Sequence, residues 1–266
     1  MYASQWPWVE LYRALHEYDG VDAYADLLER WPKRNSEECA WLAEFSQRVA
    51  RAADHEDLCR LYAASRVTST LLLRFQAGCA DGTDYHGPAI SVEGYRLFHE
   101  AVGFRVPGGG SFHPFFHEII GVRQTSPAEA PIEVAEQVWP PLMLGDMMFC
   151  RAGCIVSGGQ MYVVKDVAER SKLYWTFRRK DRPYADESHG WGHNSQWRTC
   201  LRRDYRSPDA FLYNVDGQRS LNAASGSVDG MDVSTMIELV RNRCLIRSVV
   251  DDSDLYPYPW TYTETF

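Results

Sequence analysis

Two pairs of histidines carry the strongest chemical signal in this sequence. His113 and His117 lie in Ser-Phe-His-Pro-Phe-Phe-His-Glu, and His189 and His193 lie in Ser-His-Gly-Trp-Gly-His-Asn-Ser-Gln-Trp-Arg. Each pair is spaced i, i+4. On helical backbone that spacing puts both rings on one face, with Cβ atoms roughly 6 Å apart. On a strand the same spacing leaves them about 13 Å apart, too far to share an ion. Pro114 disfavours helical geometry at His113 unless a short helix begins there. The Glu lies after the second histidine of the first pair, so this is not the His-Glu-x-x-His zinc-protease pattern.

The second pair flanks Gly190 and Gly192, in a stretch where His189, His193, Asn194, Ser195, Gln196 and Arg198 crowd donors and acceptors together. Trp191 and Trp197 bracket them. Aromatic walls around a few placed polar groups are the usual form of a small-molecule site. The competing reading is a structural loop whose polar groups satisfy the backbone. Asp84 and His86, in Asp-Tyr-His-Gly-Pro, could add a carboxylate and an imidazole to a metal shell, or serve as ordinary turn residues. His16, His55 and His99 fall in expected helices and read as surface or interface residues.

These types and spacings point to an enzyme acting on a small polar or anionic substrate. His189, His193, Glu118 and Arg198 form the catalytic set. Trp191, Asn194, Ser195, Gln196 and Trp197 contact substrate. His113, His117, Asp84 and His86 ligate a divalent metal, zinc or iron. Metal-assisted hydrolysis is the chemistry such a set most often supports, and an oxygenase would look similar. The alternative is a non-catalytic binding module (an inhibitor, antitoxin or assembly factor), engaging a protein partner through the aromatic C-terminal tail.

Other templates fail. Gly108-Gly109-Gly110-Ser111 has no following Lys, and no Gly-x-Gly-x-x-Gly follows a strand. Cys150 and Cys154 lack a second pair at zinc-knuckle spacing and read as core thiols. The seven scattered cysteines suit reduced thiols, which together with the absence of a secretory leader gives an expected cytoplasmic location. The net charge of −8 argues against non-specific nucleic-acid binding. No apolar run approaches the ~20 residues of a membrane span.

Positioning these residues requires a fold, and the pattern reads as α+β: a helical N-terminal half packed on a mainly antiparallel, strand-rich C-terminal half. Helices are expected over 7–18, 21–31 (stopped by Pro32) and 36–53, then one opened by an Asp54/Asp57 capping box near 58–65, and one over 91–102. Residues 66–76 suit strand or helix. Strands are expected over 118–124, 132–138, 147–154, 160–164 and 173–178. A hairpin about Asp216-Gly217 joins 211–215 to 218–221. A helix covers 231–243, and the tail, 251–266, forms an extended arm. The breaker cluster after Gly103 divides a 1–106 helical region from a 107–266 β-rich region, or is a loop within one domain.

Overall fold

The computed structural model describes residues 6–48, 52–78, 85–185, 195–250 and 254–266. Helices dominate the N-terminal half and strands in mixed and antiparallel sheets the C-terminal half, so the class is α+β. The chain folds into two compact units. The first is Met1–Val106 with Leu142–Gly145 and Trp175–Leu201; the second is Pro107–Pro141, Asp146–Tyr174 and Arg202–Phe266.

The first unit is built on α1 (Pro7–Glu17), α2 (Trp31–Arg34), α3 (Ser36–Phe45), α4 (His55–Leu72) and α5 (Val92–Ala101). Pro7 sits in the first turn of α1, where its missing N–H costs nothing. Leu11 and Leu15 of that helix are buried with Leu61 and Leu71 of α4 and Phe98 of α5. The residues expected to make one helix over 21–31 instead form a π-helical turn, Tyr24–Leu28, and Pro32 opens α2 rather than ending a helix. Helix α3 stops at Phe45, short of the expected 53.

Helix α4 starts where the sequence indicated. The Asp54 side chain accepts from the Asp57 N–H at 2.8 Å, and Asp57 accepts from the Asp54 N–H at 3.2 Å. It then runs straight through the ambiguous Val-Thr-Ser-Thr segment. Val67, Thr68, Ser69 and Thr70 are all buried, so packing overrides the strand propensity of β-branched residues. Ser91 caps α5 by accepting from the Gly94 N–H at 3.0 Å, and Gly103 follows its end at φ +107°.

Glu38 ties three helices of this unit together. It is 2% exposed and accepts from Trp8 Nε1 at 2.5 Å and from Arg60 Nε at 2.9 and 3.0 Å, with a further bond from Arg60 Nη2. The Arg60 guanidinium also lies 4.1 Å over the Trp41 ring. His99 belongs to this core, not to the surface as its helical position suggested. Its Nδ1 lies 2.8 Å from the Tyr95 carbonyl and its Nε2 3.0 Å from Thr68 Oγ1.

In the second unit β1 (His117–Gln124) and β2 (Glu133–Trp139) lie where expected. The single strand expected over 147–154 is two, β3 (Met147–Cys150) and β4 (Ala152–Gly158), broken at Arg151 and assigned to different sheets. Strand β4 pairs parallel to β1 and antiparallel to β2. The Trp139 indole lies so close over Gly153 that any Cβ there would fall 2.3 Å from the ring, and its Nε1 donates to the Arg151 carbonyl at 2.9 Å.

Residues 160–164 form a turn leading into α6 (Lys165–Ala168) rather than a strand. The strand expected over 173–178 is limited to Leu173–Tyr174, since Trp175 turns the chain with φ +60°. The second sheet of this unit uses β3, β5 (Asp204–Arg206), β6 (Ala210–Tyr213), β7 (Arg219–Ser220) and β8 (Trp260–Thr265). Their order is β7-β8-β6-β5-β3. The hairpin about Asp216-Gly217 is therefore overturned. A turn exists there, closed by Gly217 N–H to the Asn214 carbonyl at 2.9 Å. The partner of β6 is the C-terminal β8, antiparallel, and β7 pairs parallel to β8 on its other side. The aromatic tail is thus partly sheet, with Trp260 buried. Helix α7 (Val233–Asn242) begins at Asp232, which accepts from the Ser234 N–H at 3.1 Å. Among the described residues no helix is long and apolar enough to cross a membrane.

Asp204 organises this unit. Its carboxylate accepts from Arg151 Nη2, Arg243 Nη2 and the Asn214 N–H, each at 2.8 Å, and all three side chains are buried. Arg243 occupies the C-cap of α7 at φ +61°, a conformation that favours glycine. Its tie to Asp204 explains why a long side chain stands there. Burial alone would raise the Asp204 pKa, but Arg243, Arg151 and the Asn214 N–H together hold it below the ordinary carboxylate value.

Two outcomes follow. Asp204→Asn leaves two buried guanidinium groups facing an amide and should lower unfolding free energy by about 3–5 kcal/mol in denaturant titrations. Because the folded pKa of Asp204 is depressed, its contribution is fully present above the unfolded carboxylate range. It is lost as pH falls through the lower folded value, so the acid limb of stability should flatten in the variant. His99 behaves in the opposite sense to a paired histidine. Burial lowers its pKa to about 4 from 6.5, so the unfolded chain binds its proton first. Stability should fall as pH drops from 6.5 toward 4, and His99→Gln should make that decline shallower; an unchanged slope would contradict the assignment.

Candidate functional site

His189, Trp191, His193, Asn194 and Asp84 lie outside the described residues, and of Ser195 only the backbone is described. The 3₁₀ turn Ser195–Trp197 is anchored on α4. Arg66, 4% exposed, donates through Nη1 to the Gln196 carbonyl at 2.9 Å and through Nη2 to Tyr12 Oη at 3.3 Å. Its guanidinium carbon lies 4.1 Å from the Trp197 ring, 4.0 Å from Phe177 and 4.7 Å from Tyr12. Gln196 and Trp197, expected to contact substrate, thus serve here to dock the 195–201 segment. Gln196 is exposed beyond its carbonyl, and Trp197 is buried.

The chain next presents Arg198, exposed, and then Cys200 and Leu201. The Leu201 N–H donates to the Leu58 carbonyl at 3.0 Å, which pins this segment beside the first turns of α4. Those turns carry His55 and Cys59, an i, i+4 pair on one helical face. The Cys59 sulfur lies 3.5 Å from His55 Nε2, and the Cys200 sulfur 3.2 Å from His55 Nδ1. Taking one ligand atom from each residue, the three atoms lie within 4.8 Å of one another. Among the described residues this is the one group of three such side chains close enough to hold an ion.

The donor set fits a metal. A tetrahedral zinc with sulfur at about 2.3 Å and nitrogen at about 2.0 Å separates its ligand atoms by roughly 3.5–3.8 Å. The ligand atoms, within 4.8 Å of one another, would shift to reach those separations. Each thiol faces a different ring nitrogen, so an ion would take one of them and leave the other to solvent. The Cys59 thiol is pushed up in pKa by its hydrogen bond with Cys200 and by burial, while the Arg198 charge acts in the opposite direction. A metal cation at the same place would reverse that logic and deprotonate the sulfur.

His113, His117 and Glu118 lie in the second unit. The backbone from 113 to 117 makes a helical turn, with the His117 N–H bonded to the His113 carbonyl at 2.9 Å. The rings nonetheless serve the backbone. His117 Nδ1 is 3.0 Å from both the N and the O of His113, and His113 Nδ1 accepts from the Phe115 N–H at 3.2 Å. That places the His113 proton on Nε2, 3.8 Å from Glu264 Oε2. Glu264 is itself held by Tyr213 Oη at 2.8 Å and by Arg241 Nε at 2.9 Å. Burial brings the His113 pKa down to about 4. Glu118 is buried on β1, opposite Gly153. Its charge and, more strongly, burial push the Cys154 thiol up to about 12. His86 Nδ1 lies 3.4 Å from Lys180 Nζ in the first unit. None of these side chains joins a three-ligand group among the described residues.

The sequence reading missed the group that does. His55 and Cys59 were visible as a His-x3-Cys spacing at a helix start, directly after the capping box. Nothing in the sequence tied Cys200 to them. Compared with known proteins, the chain matches no family model, no curated protein and no solved structure.

Proposed function

We propose that this chain is a metal-dependent enzyme, a hydrolase of small anionic substrates, whose metal centre is His55, Cys59 and Cys200. The observation that carries the reading is that one imidazole and two thiols, from positions 55, 59 and 200, bring ligand atoms within 4.8 Å of one another. The set is soft, two sulfurs and a nitrogen with no carboxylate, which favours zinc over the two-histidine, one-carboxylate arrangement typical of iron oxygenases. A bound zinc supplies a Lewis acid and a water of lowered pKa. The three ligands found among the described residues leave a coordination position for that water.

The chain's own residues do the rest. Asp54 and Asp57 fix the start of α4 and with it His55 and Cys59. Arg66 and the Leu201–Leu58 bond hold Cys200 against them. Arg198, exposed and near enough for its charge to act on Cys59, binds the substrate anion.

Elemental analysis of the purified chain should find about one zinc per molecule. His55→Ala, Cys59→Ser and Cys200→Ser should each lose it, whereas His113→Ala and His117→Ala should keep it. A wild-type protein that takes up no metal from a zinc-containing buffer, or a Cys59→Ser variant that retains it, would sink the proposal. In a screen of phosphate and carboxylate esters, activity should vanish with a chelator and return with zinc. Arg198→Ala should raise KM with little change in kcat.

A further inference from the structure

We infer that Cys59 and Cys200 are a peroxide-reactive dithiol pair, and that their oxidation to a disulfide dismantles the metal centre and switches the site off. The regulatory consequence rests on the metal reading; the thiol chemistry stands on geometry of its own. Neither cysteine is in a disulfide, and their sulfurs, each against the same imidazole, lie within 4.8 Å of one another. A disulfide requires about 2.05 Å. The Leu201–Leu58 backbone bond already holds the two segments side by side. Cys150, Cys154 and Cys244 are buried in the other unit, and Cys39 bonds to the Pro32 carbonyl at 3.7 Å.

Exposure assigns the order of events. Cys200 is half-buried and meets solutes, while Cys59 is 2% exposed and does not. The Cys200 sulfur attacks one peroxide oxygen and the O–O bond breaks. The departing oxygen leaves as water with the thiol proton, and Cys200 becomes a sulfenic acid. The Cys59 sulfur then attacks the Cys200 sulfur and expels the sulfenic oxygen, which leaves as a second water carrying the Cys59 proton. Two thiols have lost two electrons and two protons to one peroxide. Neither sulfur of the disulfide can serve as a thiolate ligand, so two of the three metal ligands are withdrawn at once.

The full-length chain, zinc-loaded and metal-free, is treated with stoichiometric hydrogen peroxide and mapped by non-reducing peptide mass spectrometry. A chromophoric chelator follows zinc release. The expected result is a Cys59–Cys200 cross-link in both samples, one zinc released per cross-link, and reversal of both changes by dithiothreitol. Cys59→Ser should stop at a Cys200 sulfenic acid that dimedone traps. Overoxidation of Cys200 beside an untouched Cys59 thiol in the wild-type chain would overturn the inference, as would peroxide treatment that leaves both thiols free. Normal zinc uptake without any cross-link would defeat the thiol pair and spare the metal reading. A cross-link in a chain that never takes up zinc would defeat the metal reading, and the switch with it, and keep the thiol pair.

Discussion

The candidate site depends on a buried positive charge. Arg66 stands in the middle of α4 with its guanidinium inside the first unit, and its described polar partners are a carbonyl and a phenol rather than a carboxylate. Burying an unpaired cation costs several kcal/mol even after relaxation. What offsets the cost is three aromatic faces at 4.0–4.7 Å, each contributing up to about 2 kcal/mol when water is excluded. Two of those rings, Phe177 and Trp197, and the Gln196 carbonyl belong to a segment far along the chain. The charge is tolerable only while that segment stays docked. The same docking carries Cys200 to the first turns of α4. Stability of the unit and assembly of the site are therefore one requirement.

The second unit solves the buried-charge problem in the other way, with a carboxylate. Asp204 faces two guanidinium groups. One of them, Arg151, is felt at the histidines nearby. Arg151 acts to lower both His113 and His117, on top of the burial that is the main cause. Rings kept neutral in this way are well suited to bonding with the backbone at their Nδ1 atoms, which is what they do. Their spacing at i, i+4 spans the turn that leads into β1, which the His117 N–H closes on the His113 carbonyl.

Local signals in the sequence were reliable where a short-range rule acts alone. The capping box at Asp54, the helices over 91–102 and 231–243, and strands β1 and β2 were all legible. The misses occur where distant partners decide. Thr68 and Thr70 are helical because α4 is buried there, which no window of local propensity contains. Residues 218–220 do not pair with 211–213 because β8, more than forty residues later, inserts between them. Arg151 breaks an apolar run into two strands because its side chain must reach Asp204. At the site, two of the three ligands were legible as a helical His-x3-Cys, and the third depended on where residue 200 docks.

A structural zinc site is closed by four protein ligands and is buried, since its purpose is to add folding energy to a small core. The first unit has no such need. Its helices already bury Trp8, Leu15, Leu28, Leu42, Phe98 and their neighbours, and Glu38 binds α1, α3 and α4. The His55–Cys59–Cys200 group sits instead at the rim, with an exposed imidazole, a half-buried thiol and an exposed arginine close by. The three ligands among the described residues would leave an ion at that rim open to water and to a substrate anion, and the outer sulfur open to oxidants. The same partial exposure thus favours a catalytic over a structural metal and makes the site sensitive to peroxide.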